Sequence, residues 1–456
     1  MRFIPLCFVL STSLLLSACA VSSWSQQPGR QLTTAFWYWQ GSSVDPTWSS
    51  QPVDAVFVQV GNIRSDRPGG GTERWFAYGD LPKDLPPARD YWLVYRFDGT
   101  GVPDVQVAPI IGEEISQLQA TAQDRNLHVI GVQLDIDSPT GSLVQYARFL
   151  HEVRTKLPSG LRISITALLD WFRSGTSVDG VINEVDEFVP QFYDLSDPTG
   201  YGRKAAITAQ VDAVRWGPVF NRFGKPFRIG ISTFGRARAV PVAANSGTAK
   251  YARISLFGDV GLMDIATNSA FEIETSRDPA NELVLTFRAK HETRIDYNRF
   301  GPGDAIQFIL ATPESVRSAV DNVRRMHGNL IGVAFFRWPA TEDTLAMQPE
   351  EVLAAAGNTP QHPKPARVEV VNGHCAAVQC GDIYLMGADP FFPKETHYEI
   401  RSSANFEYFL PEHNMPVRIL SPSQLDLSLP AYCGRGRLYL GRAITATRSE
   451  FTVERQ

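Results

Sequence analysis

The chain predicts a parallel (β/α)8 barrel followed by a small all-β domain. Three observations predict it: eight short apolar runs, amphipathic helical stretches between most of them, and a late change of pattern after a proline-rich linker. The runs are Ala35–Trp39, Ala55–Val60, Tyr91–Phe97, Val129–Ile136, Arg162–Leu168, Glu187–Phe192, Phe227–Thr233 and Leu330–Phe336. They are rich in Val, Ile, Phe and Tyr, and several are apolar throughout, as strands covered on both faces must be. Between them, Leu143, Tyr146, Ala147, Leu150, Val153 and Leu157 recur at helical spacing, and Pro158-Ser159-Gly160 ends that helix. Ile115, Leu118 and Ala122 repeat the pattern, as do Val316, Ala319, Val323 and Met326.

The gap between Phe234 and Leu330 exceeds one crossover and contains two further strand patterns, Glu282–Ala289 and Ala305–Leu310. An insertion over about 236–312, after the seventh strand, accounts for it. An open doubly wound sheet is the alternative fold, but no glycine-rich phosphate loop follows the first strand. The barrel domain spans 33–357 and closes with Glu350–Ala356 as its last helix. Residues 358–366 are a stiff, proline-rich linker, and 367–456 form the β-domain. Its expected strands, Arg367–Val371, Asp382–Met386, Tyr398–Arg401, Val417–Leu420 and Arg437–Leu440, suggest a sandwich.

The first eighteen residues read as a lipoprotein signal peptide. Arg2 supplies the positive start, Ile4 to Leu16 are mostly apolar, and Leu16-Ser17-Ala18-Cys19 forms the cleavage site. The apolar stretch is too short to span a bilayer. Cys19 is therefore the expected lipidation site, residues 19–32 a tether, and the lipid the only membrane attachment. Ala20 stands where an inner-membrane retention signal carries Asp, so the expected location is the outer membrane, facing the periplasm. Of five cysteines, Cys7 leaves with the signal. In an oxidising compartment Cys375 and Cys380 are the pair closest in sequence, with Cys433 left odd or paired to one of them. No cysteine–histidine cluster has zinc spacing, so neither metal nor cofactor is expected. A net charge of −5 argues against nucleic acid as a partner.

Barrel enzymes place working groups at the C-terminal strand ends. There the chain carries Gln59 and Asn62, Arg96 and Asp98, Gln133 to Asp137, Asp170 and Trp171, Gln191 to Asp194, and Arg337 and Trp338. The fourth run is the most informative. Alternation puts Gln133, Asp135 and Asp137 on one face and Val132, Leu134 and Ile136 on the other. Two aspartates so close cannot both ionise freely, and one raised pKa is what a general acid needs. A polar network that pins loops, or a cation site, uses the same residues. Trp37, Trp39, Trp171, Tyr193 and Trp338 lie near strand ends, where ring faces stack on sugars; each alone better suits a core, and only their gathering at one mouth favours a sugar. Arg96 and Arg337 either bind an anionic group or neutralise Asp98 and Asp135. No G-x-S-x-G elbow is present, and none of the eight histidines falls where a general base is needed.

The Gly131-Val132-Gln133-Leu134-Asp135-Ile136-Asp137 strand resembles the G-x-D-x-D-x-E signature of glycoside hydrolase family 18, the chitinase-like barrels. Gln191-Phe192-Tyr193-Asp194 resembles that family's M-x-Y-D, and Trp338 stands where such barrels carry a floor tryptophan. The whole chain also resembles an uncharacterised family of bacterial lipoproteins, a domain-of-unknown-function family with glycosidase-like barrels. Gln133-Leu134-Asp135-Ile136-Asp137, Ile165 to Trp171 and Phe336-Arg337-Trp338-Pro339 carry that resemblance.

The resemblance implies a glycosidase with Asp137 as acid. In a substrate-assisted scheme Asp135 orients an N-acetyl group with help from Tyr193. In a two-carboxylate scheme Asp194 opposes Asp137 as nucleophile or base; capping of the following loop is the alternative role of Asp194. Asp170 is a third carboxylate of either catalytic or supporting role. Gln133 and Asp137 depart from the signature, the first unable to ionise and the second one methylene shorter. The expected function is a cell-envelope glycoside hydrolase-like lipoprotein acting on an amino-sugar polysaccharide or peptidoglycan. The alternative is a carbohydrate-binding or scaffolding lipoprotein on a silent barrel.

Overall fold

The computed structural model describes residues 32–44, 52–66, 73–193, 211–240, 262–266, 268–295, 298–340, 343, 345–357, 367–373, 380–386, 395–412, 415–429 and 437–456. Eight parallel strands close on themselves: β1 Thr33–Tyr38, β2 Val53–Asp66, β3 Ala88–Phe97, β4 Val129–Ile136, β5 Arg162–Ala167, β6 Glu187–Pro190, β7 Phe227–Ser232 and β8 Leu330–Phe336. Closure is made by β1, which pairs with β2 at Phe36↔Val56 and with β8 at Ala35↔Ala334.

Helices α1 Ala108–Asp124, α2 Leu143–Lys156, α3 Val178–Asn183 and α4 Ala213–Asn221 follow β3 to β6; α5 Pro313–Arg324 precedes β8 and α6 Pro349–Ala356 follows it. Among the described residues no helix follows β1 or β2. Instead β2 runs fourteen residues and its end pairs antiparallel with Arg74–Gly79. Local signals set the helix ends. Thr312 caps α5 by accepting from the Ser315 amide, Ser315 returns the bond, and Pro313 occupies the first turn. Val316, Ala319, Val320 and Val323 then bury one face.

Strand alternation divides the interior into two cores. Val56, Val58, Leu93, Val132, Leu134, Ile163 and Ile165 point outward under the helices. Ala35, Trp37, Phe57, Trp92, Val94, Val189, Tyr193 and Ala334 fill the lumen. Gly131 is required on β4, because a Cβ there would lie 2.4 Å from the Trp92 ring. At the N-terminal end of the lumen Arg228 donates to Glu187 at 3.1 Å and to the Thr33 hydroxyl at 2.6 Å, both charged side chains being buried.

The insertion builds a four-stranded antiparallel sheet from Arg236–Val240, Phe271–Arg277, Leu283–Ala289 and Ala305–Leu310 on its own core. In the C-terminal region two four-stranded antiparallel sheets enclose Ile383, Leu385, Tyr398, Ile400, Leu427, Leu429, Leu438 and Leu440, a β-sandwich. Cys380 is disulfide-bonded; Cys375 and Cys433 lie outside the described residues, as do Cys19 and the signal.

Candidate functional site

The side chains that point into the lumen become polar toward the C-terminal end, as alternation on β4 requires. Gln133 is fully buried; it accepts from Trp37 Nε1 at 2.7 Å and donates to Ser164 Oγ at 3.1 Å. One step higher, Asp135 is 4% exposed and both its oxygens are engaged. Oδ2 accepts from Arg96 Nη1 at 2.8 Å and Oδ1 from Thr166 Oγ1 at 2.6 Å. Asp137 stands just past the strand, exposed at the mouth.

Asp135, Asp137, Arg96 and Thr166, with Trp37, Trp39, Gln191, Tyr193 and Phe336, line a cavity of about 60 Å³. Its aromatic wall is continuous. Tyr193 stacks on Phe336 at 5.2 Å, Trp37 meets Tyr193 edge-on at 5.8 Å, and Trp39 meets Phe336 at 5.7 Å. Gly230 makes room for it, since a Cβ there would come within 2.9 Å of the Tyr193 ring.

Arg96 spans the carboxylates. It pairs with Asp98 as well as Asp135, and its guanidinium lies 5.6 Å from the Trp39 ring centre. Burial opposes its charge, but Asp135 foremost, then Asp98 and Asp137, hold its pKa above the ordinary arginine value. Behind β4, the buried Tyr146 hydroxyl is pushed well above its usual pKa, chiefly by burial and further by Asp135 and Asp137. Asp135 and Asp137 on one face, with Arg96 as a candidate counter-charge, were expected from the sequence; the fold adds the Thr166 hydroxyl from β5. Of the two roles open to Arg96, the structure shows the neutralising one.

The remaining expected site residues divide. Gln191 and Tyr193 reach the cavity. Gln59 is buried beside it, accepting from the Gln40 amide and donating to Asn62. Asp98 reaches the site only through Arg96. Asp170 is not brought in: it is 62% exposed and paired with Arg173 at 2.6 Å. Arg337 turns away to Asp343 at 2.8 Å and the Phe234 ring at 4.6 Å. Asp194 lies outside the described residues.

Trp171 and Trp338 are not ring platforms. Trp171 packs on Tyr146 and donates to the Ser138 carbonyl; Trp338 packs edge-on against Phe36 at 5.4 Å and donates to the Ser43 carbonyl. Both belong to the outer core. β8 ends at Phe336, so its alternation does not carry on to Trp338, and Phe336 is the ring that faces the lumen. Truncation of Trp338 to Ala is therefore expected to destabilise the fold by about 3–5 kcal/mol, the range for emptying a large aromatic core site. Denaturant unfolding checks this; a loss under about 1 kcal/mol would contradict the placement. Phe336 and Thr166 were not singled out for the site from sequence, although the inward faces of β8 and β5 include them.

The fold is a closed parallel (β/α)8 barrel with carboxylates and aromatic rings gathered at its C-terminal mouth. Residues 88–253 match a family described as a domain of unknown function (DUF3142). No curated protein matches the chain. Among solved structures, the Bacillus cereus spore cortex-lytic enzyme SleL is similar at 14% identity and a TM-score of 0.44, over 73% of this chain and 76% of that one. Chitinase ChiA74 from Bacillus thuringiensis is similar at 10% identity and a TM-score of 0.43, over 93% and 98%. The class V chitinase from Nicotiana tobaccum is similar at 13% identity and 0.43, over 72% and 98%. These are likenesses of fold, and the roles of the cavity residues rest on their own geometry.

Proposed function

We propose that the protein is a cell-envelope glycoside hydrolase that acts on an amino-sugar polysaccharide or peptidoglycan, with Asp137 as general acid. The observation that carries this reading is the unequal pair at the end of β4. Asp135 is buried with both oxygens engaged, while Asp137 stands exposed at the mouth of an aromatic-walled cavity. Asp137 protonates the glycosidic oxygen as the bond breaks, and its carboxylate then takes the proton of the water that adds to the anomeric carbon. Asp135, immobilised by Arg96 and Thr166, presents a fixed negative charge toward the positive charge that develops on the sugar. To orient an N-acetyl group, Asp135 must first release one of these partners, which weighs against the substrate-assisted scheme.

The test incubates the detergent-solubilised chain with purified sacculi and a panel of envelope polysaccharides and measures new reducing ends. Release from any polymer supports the hydrolase; none from any polymer sinks it. A second reading, a non-catalytic carbohydrate-binding lipoprotein, is favoured by Gln133, an uncharged amide locked between Trp37 and Ser164. It predicts binding without release.

The proposed location rests on the Leu16-Ser17-Ala18-Cys19 sequence. Metabolic labelling with a radioactive fatty acid is expected to mark the wild type and to be lost in Cys19→Ser. Equal labelling of both would end the lipoprotein reading.

A further inference from the structure

We infer that the cavity takes the protonated amine of a de-N-acetylated hexosamine unit, in preference to an acetamido group. This deepens the proposed function and rests on its assignment of the cavity to an amino sugar.

Size is the first argument. The cavity is small, about 60 Å³, well below the roughly 300–1,000 Å³ of an ordinary ligand pocket. It admits one small substituent while the pyranose ring stays outside, at the level of Trp39 and Asp137. The wall is the second argument. Trp37, Trp39, Tyr193 and Phe336 form a contiguous set of rings, and ring faces attract cations, most strongly when desolvated. The guanidinium of Arg96 beside Trp39 shows that this wall already accommodates one cation.

Charge is the third. The ionisable groups that line the cavity, among the described residues, are Arg96 from β3, Asp135 from β4, Asp137 just past it and Tyr193 past β6; Asp98 joins them only through Arg96, and Tyr146 on α2 lies behind them. Burial holds Tyr146 well above its usual pKa, so it adds no charge. Three carboxylates thus share one guanidinium, two of them lining the cavity. An added ammonium moves this set toward neutrality, whereas an acetamido group adds bulk and no charge. The engagement of Asp135 by Arg96 and Thr166 points the same way, because neither of its oxygens is reserved for an acetamido N–H.

The test titrates the full chain calorimetrically with a glucosamine tetramer and with an N-acetylglucosamine tetramer of equal length. The amine oligomer is expected to bind at least tenfold more tightly, less tightly as rising pH removes its protons, and less tightly in high salt. In Trp39→Ala the preference is expected to fall about tenfold, which separates the cavity from general attraction to a chain of net charge −5. Equal or tighter binding of the acetylated oligomer overturns the inference, as does a preference that survives Trp39→Ala. Hydrolysis of acetylated polymers without amine preference would leave the hydrolase standing and remove this inference. Amine-selective binding without hydrolysis would do the reverse.

Discussion

Asp137→Asn is expected to lower the release of reducing ends by about 10²–10⁴-fold, the usual contribution of a positioned general acid. The amide keeps the shape and hydrogen-bonding reach of the side chain but has no proton of suitable acidity to deliver. Asp137 is exposed, so the variant is expected to unfold at the wild-type denaturant midpoint, and the loss is then chemical. Binding of a short amino-sugar oligomer is expected to change far less than turnover. An unchanged rate in Asp137→Asn would take the acid away from β4. A loss of rate accompanied by an equal loss of stability would leave the residue a structural one.

The second large effect lies at the opposite end of the lumen. Glu187 and Arg228 are side by side and buried, and Arg228 also donates to Thr33, whose own hydroxyl donates to the Ile331 carbonyl beside the β1–β8 seam. Arg228→Met leaves the Glu187 carboxylate without its counter-charge in a desolvated place. The expected cost is about 3–5 kcal/mol, the range for breaking one side of a buried pair. Removing both charges in Glu187→Gln with Arg228→Met is expected to recover most of that loss, since desolvation of two ions is then avoided. Urea unfolding of the three proteins decides it. A single variant within about 1 kcal/mol of wild type would mean that the pair contributes little to barrel closure.

Several features were legible in the sequence because they depend on local backbone geometry. The eight barrel runs were found within a few residues of the observed strands, and the helices at 108–124, 143–156 and 313–324 followed their apolar spacing. The insertion sheet contains both strand patterns expected of it. In the β-domain three strands were passed over: Phe406–Pro411, Gln424–Leu429 and Phe451–Arg455. Gln424–Leu429 was readable, for Leu425, Leu427 and Leu429 alternate strictly; Asp426 and Ser428 between them masked a run that is largely buried on both faces. The hairpin that the end of β2 makes with Arg74–Gly79 had no comparable signal.

The sequence by itself determined which side chains of a strand share a face, since the two-residue period is a property of the extended backbone. That placed Gln133, Asp135 and Asp137 together and made the C-terminal mouth the place to look. Only the tertiary structure decided how they differ. The clamp on Asp135 draws Arg96 from β3 and Thr166 from β5, neighbours made by strand order rather than by proximity in the chain. Phe336 replaced Trp338 at the wall, and Asp170 was left in solvent, for a related reason: both Trp338 and Asp170 lie beyond a strand end, where alternation stops and packing sets the direction of the side chain.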